Sequence, residues 1–518
     1  VADSYTGIRE TGLAAHRAGV RRLLSSYRAI PPDANVRLAK KTSNLFRART
    51  RSNTPGLDVS GLNGVISIDP ESRTADVAGM CTYEDLVAAT LPYGLAPMVV
   101  PQLKTITLGG AVSGLGIEST SFRNGLPHES VLEMDILTGN GTVVTATPHG
   151  EHSDLFRAFP NSYGTLGYST RLRIELEPVK RFVALRHLRF TDLGELQNAV
   201  DRIVEDRMWD GTAVDYLDGV VFTANEAYLT LGAQTDEPGP VSDYTDMDIY
   251  YRSIQHESIN HPKTDRLTIH DYLWRWDTDW FWCSRAFGTQ NPKIRRFWPK
   301  RYRRSSFYWK LVALDRKYDI ADRLESRKGL PPRERVVQDI EVPLERTAEF
   351  LSWFLEEIPI EPLWLCPLRL RDPRLGGTDS KRSRTRRKAA PRQDGMAAPR
   401  QDGLAAPRQD GLAAPRQDGL AAPRPWPLYP LEPHRTYVNI GFWSSVPIEP
   451  GGLAGAANRR IEEKVAELDG HKSLYSDSFY DTDAFALLYG GNHYTEIKER
   501  YDPDSRLLDL YSKAVQRK

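Results

Sequence analysis

Apolar and polar positions alternate along most of the first 180 residues in short runs, broken by turn residues. VISI and TADVA alternate around the turn DPES, which predicts a β-hairpin, and VLEMDIL and TVVTA flank TGNG in the same way. A period near 3.6 replaces the alternation over residues 8–29, where Leu13, Val20, Leu23, Leu24 and Tyr27 share one face of a predicted helix. YEDLVAATL reads as a helix capped by Thr82, with Glu84 and Asp85 in its first turn, and Gly94 ends it. SDLFRAF reads as a short helix capped by Ser153, and NSYGTLGYSTRLRIELEP as a glycine turn feeding a strand that ends at Pro178. Beyond Pro178 a new set of patterns starts. RFVALRHLRF is a strand, DLGELQNAVDRIVED an amphipathic helix, and AVDYLDGVVFTANEAYLTLGAQT a hairpin around TANEA. VVQDIEVPL is a strand stopped by Pro343 ahead of an amphipathic helix. EPLWLCPLRLRD and RTYVNIGFWSS are further strands, and AANRRIEEKVAELDG is a helix stopped by Gly470. The pattern predicts an α+β protein.

Between these regular stretches lies PQLKTITLGGAVSGLGIESTSFRNGL, a ladder of Gly109, Gly110, Gly114 and Gly116 interleaved with small hydroxyl residues. Such a loop either turns between strands or lets backbone approach a phosphate or a flat polar ring. Lys40, Lys41, Thr42, Ser43 and Asn44 upstream offer donors for a phosphate, or form a solvated turn. No G-x-G-x-x-G opens a helix and no G-x-x-x-x-G-K-[ST] is present, so Rossmann and P-loop readings are weak.

Composition removes several classes. The 518 residues carry 69 Lys and Arg against 68 Asp and Glu, so bulk charge gives no nucleic-acid signal. No apolar run reaches the ~18 residues that span a bilayer. The N-terminal VADSYTGIRETGLAAHRAGVRRLL lacks the basic-then-apolar order of a secretion signal, and Cys81, Cys283 and Cys366 lie far apart. A reducing cytoplasm is the expected location, with no metal site. Residues 269–310 crowd Trp274, Trp276, Trp280, Trp282, Trp298 and Trp309 with seven Phe and Tyr, and nine basic residues but no acidic one lie from Phe281 to Lys310. That mixture suits the core of a cap domain with a solvated basic edge, a membrane interface, or single-stranded nucleic acid. Residues 374–424 hold tandem copies of AAPRQDGL, which cannot bury a core and are expected to be disordered.

The order of parts resembles the FAD-binding domain of the vanillyl-alcohol-oxidase, or PCMH, type. The matching pieces are Val65–Gly79, Tyr83–Pro97, Thr107–Gly110, Gly125–Gly141 and Gly164–Gly167. GGAVSGLGIESTSFRNGL, SDLFRAFPNSYGTLGY, VVQDIEVPL and EPLWLCPL are similar to the delta-24 sterol reductase branch of that family. The resemblance implies a PCMH-type domain over 31–178 behind the helix of 1–30, and a cap domain with an antiparallel sheet over 179–373. The 374–424 insertion follows, and 425–518 completes the cap and returns to the flavin. It implies FAD, with NADPH as electron donor, and cofactor contacts from Lys41, Thr42, Ser43, Asn44, Thr107, Leu108, Gly109, Gly110, Ser113, Gly114, Gly116, Ile117, Ser121, Arg123 and His128. Gly164, Thr165, Gly167, Tyr168 and Asn492 complete that set. Eukaryotic members carry an N-terminal membrane segment, which is not expected here. Bacterial members include the reductase that completes 10-methyl-branched stearic acid after a partner methyltransferase.

The implied reaction saturates an isolated lipid C=C bond, in a 10-methylene fatty-acyl chain or a sterol side chain. Hydride reaches one carbon and a proton the other. An isolated alkene has no carbonyl to polarise it, so a buried, protonated acid is needed. Glu118 in GIES, Tyr480, His493 and Tyr494 are the candidates; Glu118 also suits a structural acceptor, and the others suit packing. Two other classes stay open: an alcohol or sugar oxidase or dehydrogenase with flavin on His128 or a cysteine, and a non-enzymatic lipid- or nucleic-acid-binding protein. The expected contacts are a lipid substrate and a peripheral membrane surface, with no nucleic acid.

Overall fold

A computed structural model describes residues 2–40, 46–47, 55–260, 264–318, 331–371 and 425–517. Lys41, Thr42, Ser43, Asn44 and the repeats of 374–424 lie outside the described residues. Helices and antiparallel sheets make an α+β fold.

The first sheet contains β1 (Val65–Asp69), β2 (Thr74–Ala78), β3 (Leu95–Pro97), β4 (Val131–Leu137), β5 (Val143–Ala146) and β6 (Tyr168–Pro178). Its order is β1-β2-β6-β4-β5, with β3 also paired to β6. The two hairpins read from DPES and TGNG are β1–β2 and β4–β5. Thr82 caps the helix Tyr83–Thr90 by accepting from Asp85 N–H. Ser153 is instead the first residue of its helix, and His152 holds the cap position without a side-chain bond.

The second sheet has eight strands. They come from β7 (Phe182–Phe190), β10 (Tyr216–Thr223), β11 (Glu226–Thr235), β12 (Thr264–Thr268), β13 (Arg333–Pro343), β14 (Leu363–Arg369), β15 (Thr436–Pro447) and β16 (His471–Lys472); β8 (Met208–Trp209) and β9 (Thr212–Ala213) form a separate small hairpin. The order is β12-β7-β11-β10-β14-β15-β13-β16, every pair antiparallel.

Side chains alternate across this sheet, and the two faces differ. One face carries Val336, Ile340, Val342, Leu363, Leu365, Val438, Ile440 and Phe442, which pack under the helices Leu193–Asp206, Thr347–Glu357 and Ala456–Glu467. Gln338 Nε2 on that face donates to Asn458 Oδ1 at 2.6 Å. The opposite face places Asp339 and Glu341 of β13 beside Gly441 and Asn439 of β15, with Trp364 and Cys366 of β14 next in register. This polar and aromatic face is roofed by the core that also contains the first sheet.

The aromatic segment fills that core. Trp274, Trp276, Trp280, Phe281, Trp282 and Tyr308 are buried, and Phe281 stacks on Trp443 with ring centroids 4.4 Å apart. Phe297 is the exception, 83 % exposed. Among the described residues no helix is long and apolar enough to cross a membrane.

Candidate active site

The glycine ladder folds into the helix Leu108–Gly114, capped by Thr107, whose hydroxyl accepts from Gly110 N–H. Leu108 N–H and Gly109 N–H donate to Cys81 and Gly79 carbonyls. These donors are therefore consumed by the protein, and the glycines supply close approach instead. A Cβ at Gly109 would lie 2.6 Å from the Gly79 carbonyl oxygen, and one at Gly116 2.9 Å from Pro101 Cγ. Leu115 between them holds φ 65° and ψ 154°, a strained backbone for a branched residue.

The ladder forms one wall of a cavity of about 650 Å³. Thr107, Gly109, Gly110, Ser113, Gly114, Gly116, Ile117, Gly164, Gly167 and Tyr168 all line it. Arg37, Lys40 and Lys513 bring positive charge, with Lys40 Nζ 3.4 Å from Thr107 Oγ1 and Lys513 Nζ donating to the Tyr163 carbonyl at 2.7 Å. Phe46, Trp280, Phe281, Trp364, Trp443 and Tyr475 add aromatic lining. Trp280 and Phe281 sit at φ 48° and 56°, so two consecutive strained residues turn their rings toward the cavity. A floor without Cβ atoms, three cations for a pyrophosphate and flat rings fit a bound FAD.

Several expected contacts lie elsewhere. Leu108 is buried in the core, and Ser121 Oγ accepts from Glu118 N–H at 3.1 Å. Arg123 makes a bidentate pair with Glu177 at 2.6 and 3.0 Å. His128 packs edge-on against Trp426 at 4.5 Å, away from the cavity, and burial pushes its pKa down to about 3. Thr165 Oγ donates to the Ser162 carbonyl, and Asn492 is exposed.

None of the four expected acids lines the cavity. Glu118 is buried in an ion-pair cluster. Arg275 Nη2 lies 2.7 Å from both Glu118 Oε1 and Asp218 Oδ2. The Trp276 and Trp364 indoles donate to the same Asp218 oxygen at 3.2 and 3.3 Å. Burial raises the Glu118 pKa, opposed by Arg275. Because Trp364 lines the cavity, this cluster orients a wall residue. Tyr480 is half-buried with its ring centroid 6.0 Å from that of Tyr489, His493 is exposed, and the Tyr494 hydroxyl accepts from Leu510 N–H at 2.9 Å. The C-terminal tail does reach the cavity, through Leu508 and Lys513 rather than through these residues.

The carboxyl that does line the cavity is Asp339. Its Oδ1 is buried without a hydrogen-bond partner, and burial pushes its pKa up to about 7, partly offset by Asn439 and Tyr475. Glu341, two residues on, accepts from Ser473 Oγ at 3.0 Å and is raised further by burial and by Asp339. Cys283 also lines the cavity, and burial lifts its thiol to about 12, which leaves it unreactive. Sequence reasoning missed Asp339 and Glu341. The only available signal was two acids at i and i+2 inside VVQDIEVPL, a pattern shared by any solvated strand face.

Comparison with known proteins agrees with this geometry. Residues 32–147 match the FAD binding domain family. The chain is 24% identical to the Delta(24)-sterol reductase of Homo sapiens over 461 residues, covering 87% of this chain and 76% of that protein. It is 26% identical to the Delta(24)-sterol reductase of Pisum sativum over 332 residues, 61% of this chain and 56% of that one. A 146-residue stretch is 34% identical to cytokinin dehydrogenase 7 of Oryza sativa subsp. japonica, 28% of each chain. A cavity walled by glycines and cations, one part of it in the segment matched by that family, supports a PCMH-type FAD-binding domain in this chain. Over most of its length the chain is similar to the Delta(24)-sterol reductases.

Proposed function

We propose that this protein reduces an isolated C=C bond of a lipid, with a 10-methylene fatty-acyl chain as the favoured substrate and a sterol side chain as the other. The observation that carries the reading is Asp339: a carboxyl whose pKa burial raises to about 7, lining the same cavity as Trp280, Phe281, Trp364 and Trp443. When bound, the flavin supplies hydride chemistry, with NADPH as the donor that the sterol-reductase resemblance implies. The chain's own residues do the rest. The aromatic wall takes an apolar chain and excludes water. Asp339 holds the proton that an unpolarised alkene must receive, at the carbon where positive charge is best supported. Burial and the neighbouring Asp339 raise the pKa of Glu341, which disfavours a second negative charge beside it.

The test is anaerobic. The purified protein loaded with FAD is bleached by NADPH, then mixed with vesicles carrying a 10-methylene-stearoyl phospholipid or with a side-chain-unsaturated sterol. Return of the yellow colour with a saturated lipid product supports the reading. Bleaching by a polar alcohol, with recolouring only by oxygen, would replace it with an oxidase.

A further inference from the structure

We infer that the helix Pro292–Phe297 is a docking element for an anionic membrane surface. With Trp274, Trp276, Trp280 and Trp282 buried and Trp298 and Trp309 half-buried, the large exposed apolar side chains of the aromatic segment are Ile294 and Phe297. Ile294 is 43 % and Phe297 83 % exposed, at i and i+3 on one helix face. Lys293, Arg296 and Arg301 around them are exposed and, among the described residues, have no carboxylate within ion-pair distance. The acids nearby, Asp243 and Asp246, are engaged by Lys300, and Asp246 also by Arg303.

The opposite side of the helix is fixed. Arg295 is 1 % exposed and binds Asp279 at 2.7 Å and the Asp246 and Asp248 carbonyls at 2.7 and 2.9 Å. A rigid base therefore presents one phenylalanine and one isoleucine amid cations. A protein partner of ordinary affinity would need about 800 Å² of complementary surface. A single aromatic wedge ringed by Lys and Arg instead suits a headgroup layer, where the ring enters the acyl boundary and the cations meet phosphates. The element also lies close to the cavity. Ile294 Cδ1 would touch a Cβ at Gly288, and Gly288 ends the turn Cys283–Phe287, whose Cys283 lines the cavity.

Co-sedimentation of the FAD-loaded protein with vesicles tests this without any turnover, so its failure leaves the alkene reading intact and the converse holds too. The wild type is expected to pellet with equimolar phosphatidylglycerol and phosphatidylcholine, to remain in solution with phosphatidylcholine alone, and to be released by salt. Phe297→Asp should weaken binding about tenfold or more while retaining flavin colour. Arg296→Gln is the milder second variant, expected to weaken binding to the anionic vesicles alone. Leu453→Asp, at a leucine 75 % exposed elsewhere, should leave it unchanged. The inference is overturned if wild type ignores anionic vesicles, if Leu453→Asp weakens binding as much as Phe297→Asp, or if Phe297→Asp instead splits a dimer or abolishes retention on single-stranded DNA.

Discussion

Asp339 and Gly441 are direct cross-strand partners, and the Asp339 carboxyl occupies the space that a side chain at 441 would fill. Gly441→Ala must displace that carboxyl, because the added Cβ would overlap Oδ1. The expected result is a loss of alkene turnover of about tenfold or more, since ångström-scale misplacement of a reacting group has effects of that order. FAD content should be unchanged, as neither the glycines nor the cations of the cavity lie on β15. Stopped-flow reoxidation with flavin quantified in the same sample measures both; full turnover in Gly441→Ala would remove Asp339 from the reaction.

Asp339→Asn should reduce the protonation-dependent step by roughly 10²- to 10⁴-fold, the usual range for a general acid. Glu118→Gln should stay within a few-fold of wild type, because Glu118 acts on the wall through Arg275 and Asp218. The same single-turnover assay separates the two. Equal losses would mean that the acid is delivered through the Arg275 cluster.

The raised Asp339 pKa also fixes a pH dependence. Its folded value of about 7 exceeds the ordinary 3.8, so folding takes up a proton between those values. The associated stability is fully present below about pH 3.8 and is lost as pH rises through about 7. Relative to Asp339→Asn, wild type should lose roughly 3 kcal/mol between pH 5 and pH 8, at 1.36 kcal/mol per pKa unit. Glu341 and Glu129 shift in the same sense, so the difference between the two proteins is the quantity to read from denaturant melts. Turnover should fall over the same upper limb.

Arg275 is fully buried and serves two carboxylates. Arg275→Met leaves both without their common partner and should cost about 3–5 kcal/mol of stability, the usual penalty for stranding a buried charge. Guanidinium denaturation gives the value; a change under 1 kcal/mol would contradict this.

Flavin should be held without a covalent bond to His128 or Cys283. The first ring faces Trp426 and the second is a thiol with a pKa near 12. Acid precipitation should leave all yellow colour in the supernatant, for wild type and for His128→Ala alike. Colour in the pellet would contradict this placement.

The local part of this fold was legible because its determinants are local. DPES and TGNG sit between alternating runs, and Thr82 lies one residue ahead of a helical pattern, so β1–β2, β4–β5 and the first cap follow from neighbours in sequence. The ladder was legible as a close-approach segment, though not in its reason, since its N–H groups are spent on Gly79, Cys81 and Thr107. The acid was not legible. Glu118 stood in an attractive motif, but its partner Arg275 lies 157 residues away. Asp339 carries no signal of its own in VVQDIEVPL, because nothing near it in sequence tells that Trp443, Trp280 and Phe281 line the same cavity. Tyrosines 480 and 494 were drawn in by the returning tail, whose actual contact is made by Lys513.

Strands β14 and β15 are neighbours in the middle of the larger sheet, yet Arg369 and Thr436, which close their ladder, stand 67 positions apart. The intervening chain leaves and returns at one end of a finished antiparallel pair. Closing a longer connection there costs only about 0.6 kcal/mol per doubling of length. The register that aligns Trp364 with Gly441, and Gly441 with Asp339, is set by strands on both sides and not by the connection. A gene can therefore lengthen, shorten or replace this segment by whole repeats while Asp339 keeps its position, and the octapeptide copies mark the point where the fold tolerates such drift.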